Sequence, residues 1–348
     1  MKKEYIGINT FQKYLTIWVI ICMIVGILID KFLPWIPNFL NKFEYASVSI
    51  PIAILIWIMI YPMMMKVDFK SIKNIKKNPK GLYITWIVNW LIKPFTMYAI
   101  AYFFLYIVFS NFITPDLAKE YLAGAVLLGA APCTAMVFVW SHLTKGNPSY
   151  TVIQVATNDI IILFAFVPVV KFLLGISNVA VPWETLVLSV ILFVVIPLAG
   201  GILTRIYVLK SKGIEYFENK FLPKFDNVTV IGLLLTLVLL FAFQGDVILN
   251  NPTHIVLIAI PLIIQTVFIF LISYCGSKAL KLTHDIAAPA GMIGASNFFE
   301  LSVAVAISLF GTNSPVAIAT IVGVLVEVPI MLLLVKFANN TKSWFDHK

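Results

Sequence analysis

Apolar residues run in long blocks along this chain, and the polar residues gather between them. A helix needs about 20 consecutive apolar residues to cross a bilayer. Ten blocks are read as such spans, at roughly 14–33, 45–65, 81–110, 121–140, 149–173, 182–203, 228–243, 255–274, 286–310 and 315–335. The blocks are continuous rather than alternating residue by residue, which excludes a transmembrane β-barrel. The pattern predicts an all-α integral membrane protein with one transmembrane domain over 1–348.

Composition agrees. Of 348 residues, 61% are hydrophobic and 12% charged, and the mean hydropathy is +0.97. Soluble domains do not carry such a balance. Lys2 and Lys3 precede an apolar run, as in a signal peptide, but no small-residue cleavage site follows and the run ends in Ile29-Asp30-Lys31. It is therefore kept as the first span.

A net charge of +9 would suit nucleic acid, but its distribution points elsewhere. Of the 25 Lys and Arg residues, 20 fall on the side of the chain ends and the even-numbered loops, and 4 on the other. Lys93 lies within a span. This is the positive-inside pattern of a multi-pass cell-membrane protein with both termini cytoplasmic. The basic residues report topology, with the lipid bilayer as partner and no nucleic acid.

Two fives result. The first repeat, 14–174, starts inside and ends outside; the second, 182–338, runs the other way. Inverted five-helix repeats are a common plan for secondary transporters. The stretch Gly129-Ala-Ala-Pro-Cys133 in the fourth span finds a small-residue counterpart, Gly294-Ala-Ser-Asn-Phe298, in the ninth. Each should interrupt its helix. Broken helices inside a membrane persist where they line a protected cavity, often a binding site.

Chemistry gathers at the same places. Cys133 lies in the first break, whereas Cys22 and Cys275 read as small buried hydrophobes. Gly291, Gly294, Ser296 and Asn297 are expected to interrupt the ninth span just before Glu300, offering a hydroxyl, an amide and unwound backbone. The alternative is close packing of small residues against a neighbouring helix. Lys93, Asp159, Glu300 and Glu327 fall ~15–21 Å into their spans at 1.5 Å per residue. A charge there needs a partner, a proton or a water-filled cavity. Glu300 is the first choice of proton carrier, with Asp159 and Glu327 as further candidates for proton coupling, cation binding or pinning helices. Lys93 is the candidate for an intramembrane ion pair, or it snorkels to the cytoplasm. Pro94 should kink its helix.

Other motifs carry less. Asn147-Pro148-Ser149 and Asn251-Pro252-Thr253 read as helix caps with Pro at the first helical position. The four histidines lack ligand spacing. There is no phosphate-binding GxxxxGK[ST] loop and no catalytic constellation, so neither an enzyme nor a cofactor is expected.

The stretch Gly129-Ala-Ala-Pro-Cys-Thr-Ala-Met-Val-Phe-Val-Trp-Ser141 resembles the signature of the Acr-type arsenite efflux permeases, of the superfamily of bile acid, arsenite and riboflavin transporters. Supporting segments are Tyr61-Pro-Met-Met-Met-Lys-Val67, Asn89-Trp-Leu-Ile-Lys-Pro-Phe95, Asn158-Asp159, Asn297-Phe-Phe-Glu-Leu-Ser-Val303 and Val326-Glu-Val-Pro329. They run in order over most of the chain, with no departure at the key positions. The resemblance implies a bile-acid-transporter-like fold of ten spans, with broken helices 4 and 9 crossing at mid-membrane in a core beside a panel of other helices. It ties transport to Cys133 and Glu300, and implies export of arsenite, or antimonite, driven by protons. A soft thiol suits thiophilic As(III), and Thr134, Ser296 and Asn297 are placed to hydrogen-bond As–OH groups. An accessory arsenite ATPase is not excluded by the sequence.

Rival readings are a sodium-coupled symporter of organic anions, with oxygen ligands from Asn158, Asp159, Asn297, Glu300 and Glu327, and a passive metalloid channel. Sodium dependence separates the first and uphill transport the second. A membrane receptor or assembly subunit fits poorly, because no substantial soluble domain is present.

Overall fold

Proline sets several of the helix starts. It stands at the first position of the helices beginning at Pro115, Pro148 and Pro315, where its missing N–H is no loss. Thr114, Asn147 and Ser314 cap these helices through their side-chain oxygens. Asn147 thus acts as the cap expected of it, while Asn251 lies outside the described residues.

The computed structural model describes residues 14–45, 48–66, 79–133, 136–177, 179, 181–250, 252–312 and 314–345. Within them the chain is helical, apart from a two-residue antiparallel ladder of β1 (Glu44–Tyr45) with β2 (Val48–Ser49). In chain order the helices are α1 (Leu15–Phe32), α2 (Trp35–Asn41), α3 (Ile50–Lys66) and α4 (Pro79–Val108). Then come α5 (Pro115–Gly129), α6 (Val137–Leu143), α7 (Pro148–Ile176), α8 (Trp183–Phe221) and α9 (Pro223–Asn250). The last are α10 (Pro252–Ala279), α11 (His284–Ala295), α12 (Phe299–Phe310) and α13 (Pro315–Asn340).

Among the described residues, α4, α7, α8, α10 and α13 are long and apolar enough to cross a membrane. Their outward faces carry bare apolar side chains, such as Phe164 at 74% exposure and Leu203 at 67%. Such surface is costly in water and suits lipid.

Packing gathers the helices into two groups. In one, α9 lies along α1 and α3, and α3 also packs on α8. In the other, α5 packs on α13, α10 on α11 and α13, and α12 on α13. Small residues let this second group close up. A Cβ on Gly124 of α5 would fall 2.6 Å from the Val316 carbonyl oxygen of α13, so only glycine permits that approach.

Two helices yield to proline by widening. In α4 a π turn, Ile87–Ile92, comes directly before Lys93-Pro94, and the Lys93 N–H reaches back to Val88 O. In α8 the π turn Ile191–Val195 comes before Ile196-Pro197 in the same way. Proline cannot donate and crowds the carbonyl four residues earlier, so an extra residue in the turn relieves both problems.

Three expectations need correction. Cys275, read as a buried hydrophobe, is exposed on α10, whereas Cys22 is buried as expected. The 204–226 segment, read as a loop, is largely helical: α8 continues through it and bends at Gly213, whose φ of 77° favours glycine. In the ninth block the interruption is shorter than expected. Gly291 and Gly294 lie inside α11, and only Ser296, Asn297 and Phe298 leave the helix. Gly291 serves packing instead, since a Cβ there would meet the Phe270 ring at 2.9 Å.

Candidate functional site

Each break leaves helix ends with unpaired backbone groups, which are expensive away from water. Here the two breaks satisfy each other. Between α5 and α6 the backbone passes Pro132, which pairs antiparallel with Asn297, between α11 and α12. The Cys133 N–H donates to Ser296 O at 3.2 Å, and the Phe298 N–H donates to Ala131 O at 3.1 Å. The Ser302 hydroxyl donates to Leu127 O at 2.9 Å, serving a carbonyl near the end of α5.

Charged side chains complete the junction. The Lys93 ammonium, from the residue after the π turn of α4, donates to Ser296 O at 2.6 Å. Ser296 closes the carbonyl end of α11, where a positive charge is favourable. Glu327 of α13 meets the other side of the break. Its carboxylate accepts the Ser296 hydroxyl, and both its oxygens lie 3.2 Å from the Asn297 N–H. Glu300 stands in the first turn of α12, where negative charge is favourable. Ser296 thus sits between a cation and an anion, and Lys93 and Glu327 attract one another across it.

Lys93 is 1% exposed. It does not snorkel; its head group is held inward by the broken helix. A second layer fixes its backbone: Gln265 of α10 donates through Nε2 to Lys93 O and to the Thr96 hydroxyl, both at 3.0 Å. Gln265 was not singled out from the sequence. A lone amide in the otherwise apolar middle of the eighth block was the available signal.

The Cys133 thiol is buried and accepts the Met136 N–H through Sγ at 3.3 Å. Glu300 and Glu327 are the acidic groups closest to it in electrostatic effect. Around the junction, several polar atoms have no hydrogen-bond partner among the described residues: Asn297 Oδ1, both Glu300 oxygens and the whole Asn89 amide. Asn89 faces the same break, its Oδ1 lying 3.6 Å from the point where a Cβ on Gly294 would be. Thr134 lies outside the described residues.

Cys133, Ser296, Asn297, Glu300, Glu327 and Lys93 are therefore gathered at one junction. Asp159 stands apart. It is fully buried on α7, and neither oxygen has a hydrogen-bond partner among the described residues. Its neighbour Asn158 accepts the Trp90 indole N–H of α4 at 3.2 Å. No group of three or more His, Cys, Asp or Glu suited to a resident metal occurs among the described residues.

The arrangement offers one soft thiol and an amide oxygen on irregular backbone, with a buried carboxyl in the first helical turn that follows. It can hold a small neutral solute with several hydroxyl donors, or a proton.

Comparison with known proteins bears on which. Residues 53–251 match the sodium bile acid symporter family. Over 339 residues, covering 97% of this chain and 95% of the relative, the sequence is 66% identical to the arsenical-resistance protein Acr3 of Alkaliphilus metalliredigens. It is 35% identical to the Acr3 of Corynebacterium glutamicum, over 94% of this chain and 88% of that one. It is also 49% identical to an uncharacterized transporter of Synechocystis, over 97% and 91% of the two chains.

Proposed function

Because this chain belongs to the sodium bile acid symporter family, and within it to the Acr3 arsenical-resistance proteins, we propose that it exports trivalent arsenic from the cytoplasm in exchange for protons. It is a multi-pass membrane transporter and not an enzyme. In the proposed architecture ten spans form two inverted five-helix repeats in the cell membrane, with both termini cytoplasmic. The group holding α5 and α10–α13 is the core, and α1, α3, α8 and α9 form the panel against which it moves.

The observation that carries this reading is the company Cys133 keeps. Its thiol shares a backbone junction with acceptors that have no hydrogen-bond partner among the described residues, Asn297 Oδ1 and the Glu300 carboxyl. Arsenite near neutral pH is mostly As(OH)3, with three O–H donors and a soft centre. The thiol exchanges for one As–OH, releasing water, and the reverse exchange frees the solute. A single thiol holds a cargo that must leave again. Antimonite has the same chemistry and fits the same site.

Coupling follows from Glu300. With the protein open inward and Glu300 deprotonated, its oxygens accept As–OH hydrogens while Cys133 engages the metalloid. After the core turns outward, a proton from outside takes those lone pairs and substrate leaves. The proton is discharged inside on return. Proton and substrate exclude each other, which is antiport. Glu327 shapes the break, and Asp159, on α7, is a second proton position.

The sodium-coupled rival is disfavoured by Lys93. Unwound carbonyls at half-helix ends hold Na+ in other transporters, whereas here a tethered ammonium already occupies Ser296 O. Proteoliposomes with an imposed pH gradient test this. Concentrative arsenite transport should persist when choline replaces sodium and stop when a protonophore is added. Strict sodium dependence would reject the reading, as would uptake that never exceeds equilibrium, the behaviour of a channel.

A further inference from the structure

Away from the junction, a groove of about 380 Å³ opens between α4 and α10. Its wall is formed by Ile84, Ile87 and Val88 of α4 with Ile272 and Gly276 of α10, and it is almost wholly apolar. Lys80 and Leu280 stand at one end, where α4 begins and α10 has just finished. Lys80 is exposed, and a second exposed lysine, Lys281, follows Leu280.

We propose that this groove holds one acyl chain of an anionic phospholipid, with the phosphate on Lys80. Length favours a chain in one leaflet. From Lys80 to Ile92, the last groove residue on α4, the helix rises ~18 Å, against ~15 Å for half the hydrocarbon core. Charge favours an anionic head group, because lysines at this end are set against apolar walls. Basic positions between helices on the cytoplasmic side, where the surface is negative, suit such lipids. The lysine count of the 66–80 segment puts Lys80 on that side.

The groove is not idle surface. Its floor is Val88, 1% exposed, in the π turn of α4. On its other side Val88 touches α11 at Gly294, where a Cβ would lie 3.4 Å from Val88 Cγ1. Two residues later the helix breaks. An acyl chain filling the groove therefore presses on the turn that positions Lys93 and on the end of α11. Lipid occupancy steadies the junction without touching the substrate site.

The test uses purified full-length protein in micelles containing equal amounts of dioleoyl phosphatidylglycerol and dioleoyl phosphatidylcholine, with bound lipid counted by native mass spectrometry. Wild type should retain the glycerol lipid about fivefold more, the value of one lysine near a charged surface. Lys80→Ala should erase the preference and Lys80→Arg should keep it. Ile272→Trp, which fills the groove, should lower retention of both lipids. Inorganic phosphate should not compete. A preference unchanged in Lys80→Ala, retention unchanged in Ile272→Trp, or equal retention of the two lipids by wild type would overturn the proposal. Because the readout is bound lipid, its failure is separate from any failure of arsenite transport.

Discussion

The Lys93 ammonium stands 2.6 Å from the carbonyl oxygen of Ser296, 203 residues later in the chain. That oxygen also accepts the Cys133 N–H. One carbonyl thereby joins α4, both breaks and, through the Ser296 hydroxyl, Glu327.

Removing the ammonium should be costly. Lys93→Met leaves Ser296 O short of a donor and Glu327 without its nearby cation, and should destabilise the protein by about 3 kcal/mol. Lys93→Met combined with Glu327→Gln should recover part of the loss, since the uncompensated charge is gone. Thermal unfolding of the three variants in detergent provides the comparison. Simple additivity would show that the two side chains do not act on each other.

Glu300→Gln separates coupling from folding. Neither oxygen of Glu300 has a hydrogen-bond partner among the described residues, so a neutral amide of the same shape should leave the unfolding temperature equal or higher. Transport should lose its response to an imposed pH gradient. An amide variant that still follows the gradient would move proton coupling elsewhere, with Asp159 the next position to examine.

Packing between α5 and α13 depends on Gly124. In Gly124→Val the new Cβ would approach Val316 O to about 2.6 Å, forcing the helices apart. A loss of about 1–3 kcal/mol is expected. Gly175→Val is the control, because nothing lies within 4 Å of a Cβ there.

His284 gives the protein a pH-dependent element outside the membrane spans. Burial pushes its pKa below the ordinary histidine value, opposed by its hydrogen bond to Ala338 O at 2.9 Å. The folded state then binds the proton less readily than the unfolded state. This contribution is fully present above the unfolded pKa of about 6.5 and is lost as pH falls below it. Unfolding temperatures between pH 7.5 and 5.5 should fall more steeply for wild type than for His284→Gln. Parallel slopes would contradict this.

Much of this arrangement was legible in the sequence. A Gly/Pro stretch with a thiol and a Ser-Asn-Phe stretch before a carboxylate mark breaks in apolar blocks, because proline and polar groups are costly inside a membrane helix. Pro94 pointed to a disturbed helix, though not to its form. A π turn depends on how the ring crowds Trp90 O and on what α7 and α10 offer around it. The ties of Lys93 to Ser296 and of Gln265 to Lys93 were not legible, since they join distant residues and leave no local pattern. Gly291 and Gly294 were misread for a related reason. Glycine signals either a break or a close contact, and only the Phe270 ring beside Gly291 decides between them.

Arsenite uptake into everted membrane vesicles with an acidic lumen tests the central claim most directly, comparing wild type with Cys133→Ser and Glu300→Gln at matched expression. Wild type should accumulate arsenite above its external concentration. Cys133→Ser should fall to about a tenth or less, the loss of roughly 1.4 kcal/mol of binding, and Glu300→Gln should show no gradient-driven accumulation. Normal uptake by both variants would contradict the account.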